Sequence, residues 1–285
     1  MMFNILRNLV IFFNYLVFFY ALTVNSIYFM QLVLSAFSLS DYIKKMLYSD
    51  FKKYTASDNM IPISVLVPAY NEEATIVENI ESLLSLKYPL FEVVIINDGS
   101  KADALNIGIN ISRYPIFASI DADSILEGDS LIRVMMPFIE NKETIAVGGI
   151  IRIANGSTIV NGNIKKVNLP KSRIAMFQVV EYLRAFLTGI MGWNSLNSLL
   201  IISGAFGAFR KQEVVEVGGY SVGTVGEDME LVMKLHEYMI KNKRTYNVKF
   251  LPDPVCWTQA PEKLRDLRTQ RRRWQIGLMD TLLCF

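Results

Sequence analysis

The chain has 285 residues, of which 52% are apolar and 20% charged, and its net charge is +2. This composition excludes a disordered chain, and the small net charge gives no basic field that would attract nucleic acid. The two cysteines, Cys256 and Cys284, are far apart, which excludes a disulfide scaffold or a cysteine zinc site and favours a reducing compartment. The length predicts one or two domains.

The first predicted element is a membrane anchor within residues 1–45. No charged residue occurs from Asn8 to Ser40, and about 20 apolar residues are enough to span a bilayer. A cleaved signal peptide fits less well, because its apolar region is shorter. Four lysines follow the run by residue 53, whereas only Arg7 precedes it, which predicts a single span in the cell membrane and a cytoplasmic domain. Three amides inside the run either contact membrane partner subunits or are tolerated there: Asn14, Asn25 and Gln31.

Residues 61–260 alternate between strand and helix patterns, which is typical of an α/β domain. Apolar, β-branched runs predict strands buried on both faces, and therefore a mostly parallel sheet. These runs are Ile63–Tyr70, Glu92–Asp98, Ile116–Asp123 and Ala146–Ile153. Helices are predicted at Glu73–Leu86, Ala102–Ser112, Asp129–Glu140, Ile174–Met191, Glu227–Ile240 and Glu262–Leu283. The pairs Asn155-Gly156 and Asn161-Gly162 predict turns around a hairpin.

Polar motifs follow the first three predicted strands. The motifs are Pro68 to Glu72, Asn97 to Ser100, and Asp121 to Asp123. In open α/β sheets, ligands bind at the carboxyl ends of the strands. Each motif alone is weak, since Asp-Gly is also an ordinary turn pair, but the three together predict a ligand site.

The pair Asp121 and Asp123 predicts a metal site. On a strand, a spacing of two places both carboxylates on one face. Two hard oxygen ligands side by side suit Mg²⁺ or Mn²⁺ that carries a diphosphate. An EF-hand loop is excluded, because Ile125 and Leu126 occupy its third ligand position and its glycine position. The alternative is a solvated loop with a capping aspartate.

Two later motifs lie on predicted helices. Asp228, beside Glu227, lies in the first turn of a predicted helix. It either complements the helix dipole, as acids in a first turn often do, or acts as a general base for an acceptor hydroxyl. In residues 261–285, Gln270, Arg273 and Trp274 share one helix face. These three groups can hold a diphosphate and stack on a sugar. The alternative is a basic amphipathic helix on anionic lipid headgroups.

In this order the motifs resemble the processive family 2 glycosyltransferases of membranes, which include cellulose, chitin, hyaluronan and poly-N-acetylglucosamine synthases. The resemblance runs from about Ile61 to the C-terminus and includes Lys101 to Asn106. It implies a nucleotide-diphospho-sugar transferase (GT-A) fold, a UDP-sugar donor, Mg²⁺ or Mn²⁺, and a saccharide or polysaccharide acceptor. It also implies a single displacement that inverts the anomeric centre.

The resemblance implies roles for individual residues as well. Donor-binding residues are implied at Pro68, Ala69, Tyr70, Glu72, Asp98, Lys101, Asp121, Gln270 and Arg273. Metal ligands are implied at Asp123 and Asp121, and catalytic carboxylates at Asp228, the base, and Glu227. Acceptor contacts are implied at Trp274, Ser203 and Gly204. We expect the lone His236 to be a surface residue of its helix.

The chain departs from the family pattern at two places. Relatives carry some tens of residues between the Asn-Asp-Gly-Ser and Lys-Ala-Asp-Ala-Leu-Asn motifs, whereas here Lys101 follows Ser100 directly. Relatives also continue into further membrane helices beyond the position of Phe285, and we expect none here.

The leading prediction is a membrane enzyme that extends a β-linked polysaccharide with N-acetylglucosamine or another hexose. One alternative is a non-processive transferase that acts on a lipid-linked acceptor. Another is a non-catalytic remnant that lacks the segment between Ser100 and Lys101. A dinucleotide-binding oxidoreductase is disfavoured, because no predicted strand leads into a Gly-x-Gly-x-x-Gly turn.

Overall fold

The computed structural model describes residues 2–48, 60–69, 76–97 and 99–285. The helices are α1 (Met2–Tyr48), α2 (Ile76–Leu84), α3 (Lys101–Ile111), α4 (Ser130–Glu140), α5 (Arg173–Arg184), α6 (Met191–Asn194), α7 (Lys211–Glu216), α8 (Glu227–Lys241) and α9 (Leu264–Cys284). A π-helical turn, Ala185–Ile190, joins α5 to α6. The strands are β1 (Ile63–Pro68), β2 (Phe91–Ile96), β3 (Ile116–Ile120), β4 (Ile125–Leu126), β5 (Thr144–Ile153), β6 (Thr158–Val160), β7 (Asn163–Lys166), β8 (Phe206–Arg210) and β9 (Asn247–Thr258).

Seven strands form one sheet in the order β2-β1-β3-β8-β5-β9-β4. The pairs β1–β2, β1–β3 and β5–β9 are parallel. The pairs β3–β8, β5–β8 and β4–β9 are antiparallel. The α/β class is confirmed, but the sheet is mixed rather than mostly parallel, because β8 enters between β3 and β5 in the opposite direction.

The predicted strands end two or three residues earlier than expected. They stop at Pro68, Ile96 and Ile120, so the described motif residues that follow lie outside the strands, namely Ala69, Asn97, Gly99, Ser100 and Asp121 to Asp123. Strands β8 and β9 were not predicted. The first is short and carries Gly207, and the second contains two prolines, which weaken a strand pattern.

Helix α1 has an unpartnered first half and a second half that packs on the domain. Its side chains from Phe3 to Thr23 are exposed. Further along, Gln31 and Ser35 are buried, and the Ser35 hydroxyl donates to the carbonyl of Leu187. Because Gln31 is covered by this domain, its predicted role as a contact to a membrane partner is wrong.

Two helical segments are long and apolar enough to cross a membrane, Phe3–Leu47 and Arg173–Asn194. The second comprises α5, the π-helical turn and α6. Its first part packs against β5, so it belongs to the domain, whereas none of the most apolar window of the first is buried.

Both predicted turns are present, and at Asn155-Gly156 the Ser157 amide donates to the Ala154 carbonyl over 2.9 Å. The second turn, however, is the loop of the hairpin β6–β7 rather than a turn beside it. Asn161 and Gly162 form its two-residue loop, with φ of 49° and 66°, the positive values that a type I′ turn requires. The loop lies against α2, because a Cβ on Gly162 would be 2.7 Å from Ser82 Cα and 2.8 Å from Glu78 O.

Replacing Gly162 by alanine is expected to destabilise the protein more than Gly218→Ala does. The left-handed conformation costs an L-residue about 1–2 kcal/mol at either position, but Gly218, with φ of +84°, has nothing within 4 Å of its Cβ position. Urea unfolding in detergent measures the difference. Equal midpoints for the two variants would show that the hairpin does not press on α2.

Candidate active site

The ends of β1 and β2 lie side by side at one edge of the sheet. Pro68 is opposite Ile96 in the parallel register, and the Ala69 amide donates to the Ile96 carbonyl over 2.8 Å. Pro68 and Ala69 are therefore at the predicted ligand edge. The predictions for Tyr70, Glu72 and Asp98 concern residues outside the described part of the chain.

Lys101 starts α3 and links three parts of this edge. Ser100 caps the helix, since its hydroxyl accepts from the Asp103 amide over 3.2 Å. The Lys101 ammonium forms an ion pair with Asp121 and donates to the Gly204 carbonyl over 2.9 Å. Burial alone would lower the pKa of Lys101, but Asp121 and the nearby carboxylates of α8 raise it above its usual value. Lys101 therefore carries a fixed positive charge at this edge of the sheet.

Asp121 and Asp123 lie in a turn directly after β3. The Ser124 amide donates to the Asp121 carbonyl over 3.0 Å, and the Asp121 amide donates to the Ala205 carbonyl over 3.2 Å. The prediction that both residues continue the strand on one face is therefore wrong, although both remain at the end of β3. Asp123 is exposed and Asp121 half-buried.

The donor set of this turn fits a divalent cation shared with a diphosphate. Among the described residues, no group of three or more acidic, histidine or cysteine side chains surrounds a possible metal position. Two carboxylates are nevertheless sufficient protein ligands for Mg²⁺ or Mn²⁺, because phosphate oxygens and waters supply the remaining positions.

Asp228 lies in the first turn of α8 and is held by two backbone amides. Its Oδ2 accepts from the Gly204 amide over 2.9 Å, and its Oδ1 accepts from the Met229 amide over 2.8 Å. Gly204 thus contacts Lys101 through its carbonyl and Asp228 through its amide. Burial raises the pKa of the neighbouring Glu227. Ser203 precedes this junction, and its carbonyl accepts from Phe206 over 3.1 Å.

Helix α9 reaches the same place through two glycines. A Cβ on Gly226 would lie 2.7 Å from the Gly277 carbonyl oxygen, and a Cβ on Gly277 would lie 2.9 Å from the Gly226 nitrogen. The two backbones are therefore in direct contact immediately before Glu227 and Asp228. Since Trp274 precedes Gly277 by three residues, it lies within one helical turn of this contact.

The three predicted residues of α9 differ in their surroundings. Gln270 has a buried side-chain oxygen without a hydrogen-bond partner in the described part of the chain. Arg273 is exposed and makes no ion pair with a described residue. Trp274 is 42% exposed. The donor-binding role of Gln270 and Arg273 and the acceptor-binding role of Trp274 stay predictions.

Asn106 is a positioning residue for which no role was predicted. Its Oδ1 accepts from the Tyr220 amide over 2.9 Å, and its Nδ2 donates to the Tyr220 carbonyl over 2.8 Å. This pair of bonds fixes the start of the loop that leads to α8. The signal in the sequence for this role was a polar residue on a helix face whose other residues are buried.

His236 is not the surface residue that we expected. It is half-buried, and its ring nitrogens lie 2.7 Å from the Tyr246 hydroxyl and 2.7 Å from the Leu199 carbonyl. Burial lowers its pKa. Both nitrogens are used in holding α8 against its neighbours, which leaves this histidine a structural role.

Comparison with known proteins places these features in a family. Residues 116–284 match the family model described as glycosyl transferase family group 2, and residues 64–103 match that of glycosyl transferase family 2. A poly-β-1,6-N-acetyl-D-glucosamine synthase of Staphylococcus epidermidis is 30% identical over an aligned length of 249 residues, in an alignment that covers 78% of this chain and 55% of that protein. The synthase of Staphylococcus aureus (strain COL) is 30% identical over an aligned length of 272 residues, and this alignment covers 85% of this chain and 61% of that protein. The chain thus spans less than two thirds of either relative.

Two solved structures share the fold. One is a mannosyltransferase from Pyrobaculum calidifontis in complex with GDP-Man and Mn²⁺, with a TM-score of 0.55, 17% identity and coverage of 89% of this chain and 74% of that one. The other is glucosyl-3-phosphoglycerate synthase from Mycobacterium tuberculosis with Mn²⁺, UDP and glucosyl-3-phosphoglycerate. Its TM-score is 0.53 at 16% identity, over 83% of this chain and 84% of that one. At these identities the likeness establishes the fold alone, and that fold is the predicted GT-A type.

Proposed function

The chain belongs to glycosyltransferase family 2, and from this premise we propose that it transfers N-acetylglucosamine from a UDP-sugar to a growing β-linked saccharide. The single observation that carries the proposal is the junction at Gly204. Through it, the cation of Lys101, the carboxylate of Asp121 and the carboxylate of Asp228 are brought next to one another. A positive group for a diphosphate and a base for a hydroxyl are thereby adjacent.

The proposed donor site uses the charges at the end of β3. Asp121 and Asp123 would hold Mg²⁺ or Mn²⁺, which when bound neutralises charge on the diphosphate. Lys101 contributes a fixed positive charge beside Asp121, and Arg273 and Gln270 would complete the site from α9. Groups that are already oriented toward developing charge stabilise a transition state without reorganising.

The proposed acceptor site lies on the other side of Gly204. Asp228 would remove the proton of the attacking hydroxyl, whose oxygen bonds to the anomeric carbon as the UDP oxygen leaves. Two backbone amides hold this carboxylate in place, and one displacement inverts the anomeric centre. Trp274 would stack on the acceptor sugar. No covalent nucleophile takes part.

Membrane anchoring is part of the proposal. The side chains of α1 from Phe3 to Thr23 are exposed and mostly apolar, over a length that matches the hydrocarbon thickness of a bilayer at about 1.5 Å per residue. Lysines follow on the side of the domain, which supports a cytoplasmic location. The second half of α1 packs on the domain and would hold the active site close to the membrane.

The donor site is tested by nucleotide binding with Mn²⁺. In the variant Asp121→Ala/Asp123→Ala, we expect the Mn²⁺-dependent gain in UDP affinity to disappear, because both proposed metal ligands are lost. Isothermal titration of UDP with and without Mn²⁺ measures this. The control Asp280→Ala removes an exposed carboxylate of α9 and should bind like the original chain. An unchanged affinity in the double variant would refute the metal assignment.

The activity itself is tested with a panel of radiolabelled UDP-sugars and Mn²⁺. We expect incorporation from UDP-N-acetylglucosamine into a saccharide product and less from the other sugars. If the full chain binds UDP but transfers none of the sugars, the non-catalytic alternative is correct.

A further inference from the structure

Arg271 is the one arginine of the Gln270–Trp274 motif that is tied to another helix in the described structure. Its Cζ lies 4.4 Å from the centroid of the Trp274 ring. Its Nη2 donates to Glu181 Oε2 of α5 over 2.6 Å. We call these three side chains the Arg271 stack. The proposed function assigns no role to Arg271 or Glu181.

Both ends of the stack are anchored. Arg271 and Trp274 are three residues apart on α9, so their side chains are neighbours on one face. Glu181 precedes Tyr182, whose ring lies 5.8 Å from that of Phe186. Phe186 in turn stacks on Phe250 of β9, at 5.8 Å and an interplanar angle of 3°. The carboxylate that holds Arg271 therefore stands on a helix fixed to the sheet.

The stack lies beside the proposed acceptor site. Gly277 follows Trp274 by three residues on α9, and its backbone touches that of Gly226. Gly226 immediately precedes Glu227 and Asp228. Trp274 is therefore within one helical turn of a contact to the start of α8.

We propose that Arg271 is a positioning residue that covers one face of the Trp274 indole and leaves the opposite face for the acceptor sugar. A guanidinium prefers the face of an aromatic ring, and the ion pair with Glu181 stops it from moving away. Because Trp274 remains 42% exposed, a sugar can still reach the ring. Holding the indole in one orientation reduces the entropy that is lost when the acceptor binds. This inference rests on the proposed function.

The proposal is tested on the full chain with UDP-N-acetylglucosamine as donor and a β-1,6-linked N-acetylglucosamine pentamer as acceptor. For Arg271→Ala we expect the KM for the pentamer to rise about tenfold. Its KM for the donor, and the rate at which the donor is hydrolysed by water, should stay within about twofold. Arg271→Lys keeps the charge without the planar fork and should recover only part of the loss. For Glu181→Gln we expect a KM for the pentamer between those of Arg271→Ala and Arg271→Lys.

Arg272→Ala is the matched control, because Arg272 is the exposed neighbour in the same motif. A second readout is acrylamide quenching of Trp274, taken as the difference between each variant and the same variant with Trp274→Phe. We expect Arg271→Ala to increase it and Arg272→Ala to leave it unchanged. If transfer occurs but Arg271→Ala behaves like Arg272→Ala, or loses hydrolysis and transfer equally, the positioning role is refuted alone. If the original chain neither binds the pentamer nor transfers sugar, the proposed function is refuted and this inference with it.

Discussion

Replacing Asp228 by asparagine is expected to lower the rate of sugar transfer by about 10²–10⁴-fold, the range that a general base contributes. Asparagine has nearly the same shape and keeps one of the two hydrogen bonds that the carboxylate accepts from Gly204 and Met229. It cannot take a proton from the acceptor hydroxyl. Initial rates of incorporation from labelled UDP-N-acetylglucosamine measure the effect. UDP affinity should change little, because Asp228 is proposed to face the acceptor.

Glu237→Gln is the matched control for this variant. Glu237 is on the same helix, and its carboxylate is exposed and paired with Lys241 one turn later. A surface pair of this kind contributes little to stability, so transfer should be retained. Retention of transfer by Asp228→Asn would show that another group removes the proton. A matching fall in UDP affinity would instead indicate that the substitution had also changed the donor site.

The sequence predicted the parts of the fold that depend on local pattern. The runs that begin at Ile63, Glu92 and Ile116 are strands in the structure, because continuous β-branched apolar residues suit a strand buried on both faces. Helix α3 begins and ends within one residue of the predicted bounds. The location of the acidic residues at strand ends followed from the same pattern.

The pairing of distant strands was beyond local pattern. Strand β8 is antiparallel to both of its neighbours, and a strand's direction depends on the path of the chain between strands rather than on its own residues. Strand β9 contains Pro252 and Pro254, so its sequence lacks the alternation that identifies a strand. In the structure it shows register shifts against β5. These two elements account for the mixed sheet.

The arrangement of the site depends on contacts between distant motifs, which the sequence alone does not reveal. Lys101 was expected beside a diphosphate, and the structure also pairs it with Asp121 and with the carbonyl of Gly204. Gly204 was expected only beneath the acceptor, yet its amide holds Asp228. A motif fixes which residue types are present, whereas the distance between two motifs depends on how the whole domain packs.

The direct junction of Ser100 and Lys101 leaves the described sheet connected. Strands β2 and β3 both pair in parallel with β1, and α3 connects them while packing on β1 and β2. One crossover of this kind needs only about 10–12 residues, which α3 provides. The strand β2 is therefore at the edge of the sheet. Lys101, which follows the junction directly, still forms its ion pair with Asp121.

Replacing Gly277 by alanine is expected to lower sugar transfer by about 10²-fold, the loss that follows a displacement of about 1 Å in an active site. Alanine is the better helix former by about 1 kcal/mol, so α9 itself should not be weakened. Its Cβ, however, would lie 2.9 Å from the Gly226 nitrogen and 3.0 Å from both the Gly226 Cα and the Val225 carbonyl carbon. Backbone atoms cannot rotate away as a side chain can, so α9 must move relative to α8.

That movement would shift Arg273 and Trp274 away from Asp228, because all three residues are within four residues of Gly226 or Gly277 along the chain. Gly189→Ala is the matched control, since nothing lies within 4 Å of its Cβ position and its transfer rate should be unchanged. Steady-state rates should show the loss in Gly277→Ala as a higher KM for the acceptor together with a lower kcat. A Gly277→Ala variant with the original rate would mean that α9 does not take its position from this contact, and the placement of Arg273 beside the leaving diphosphate would lose its support.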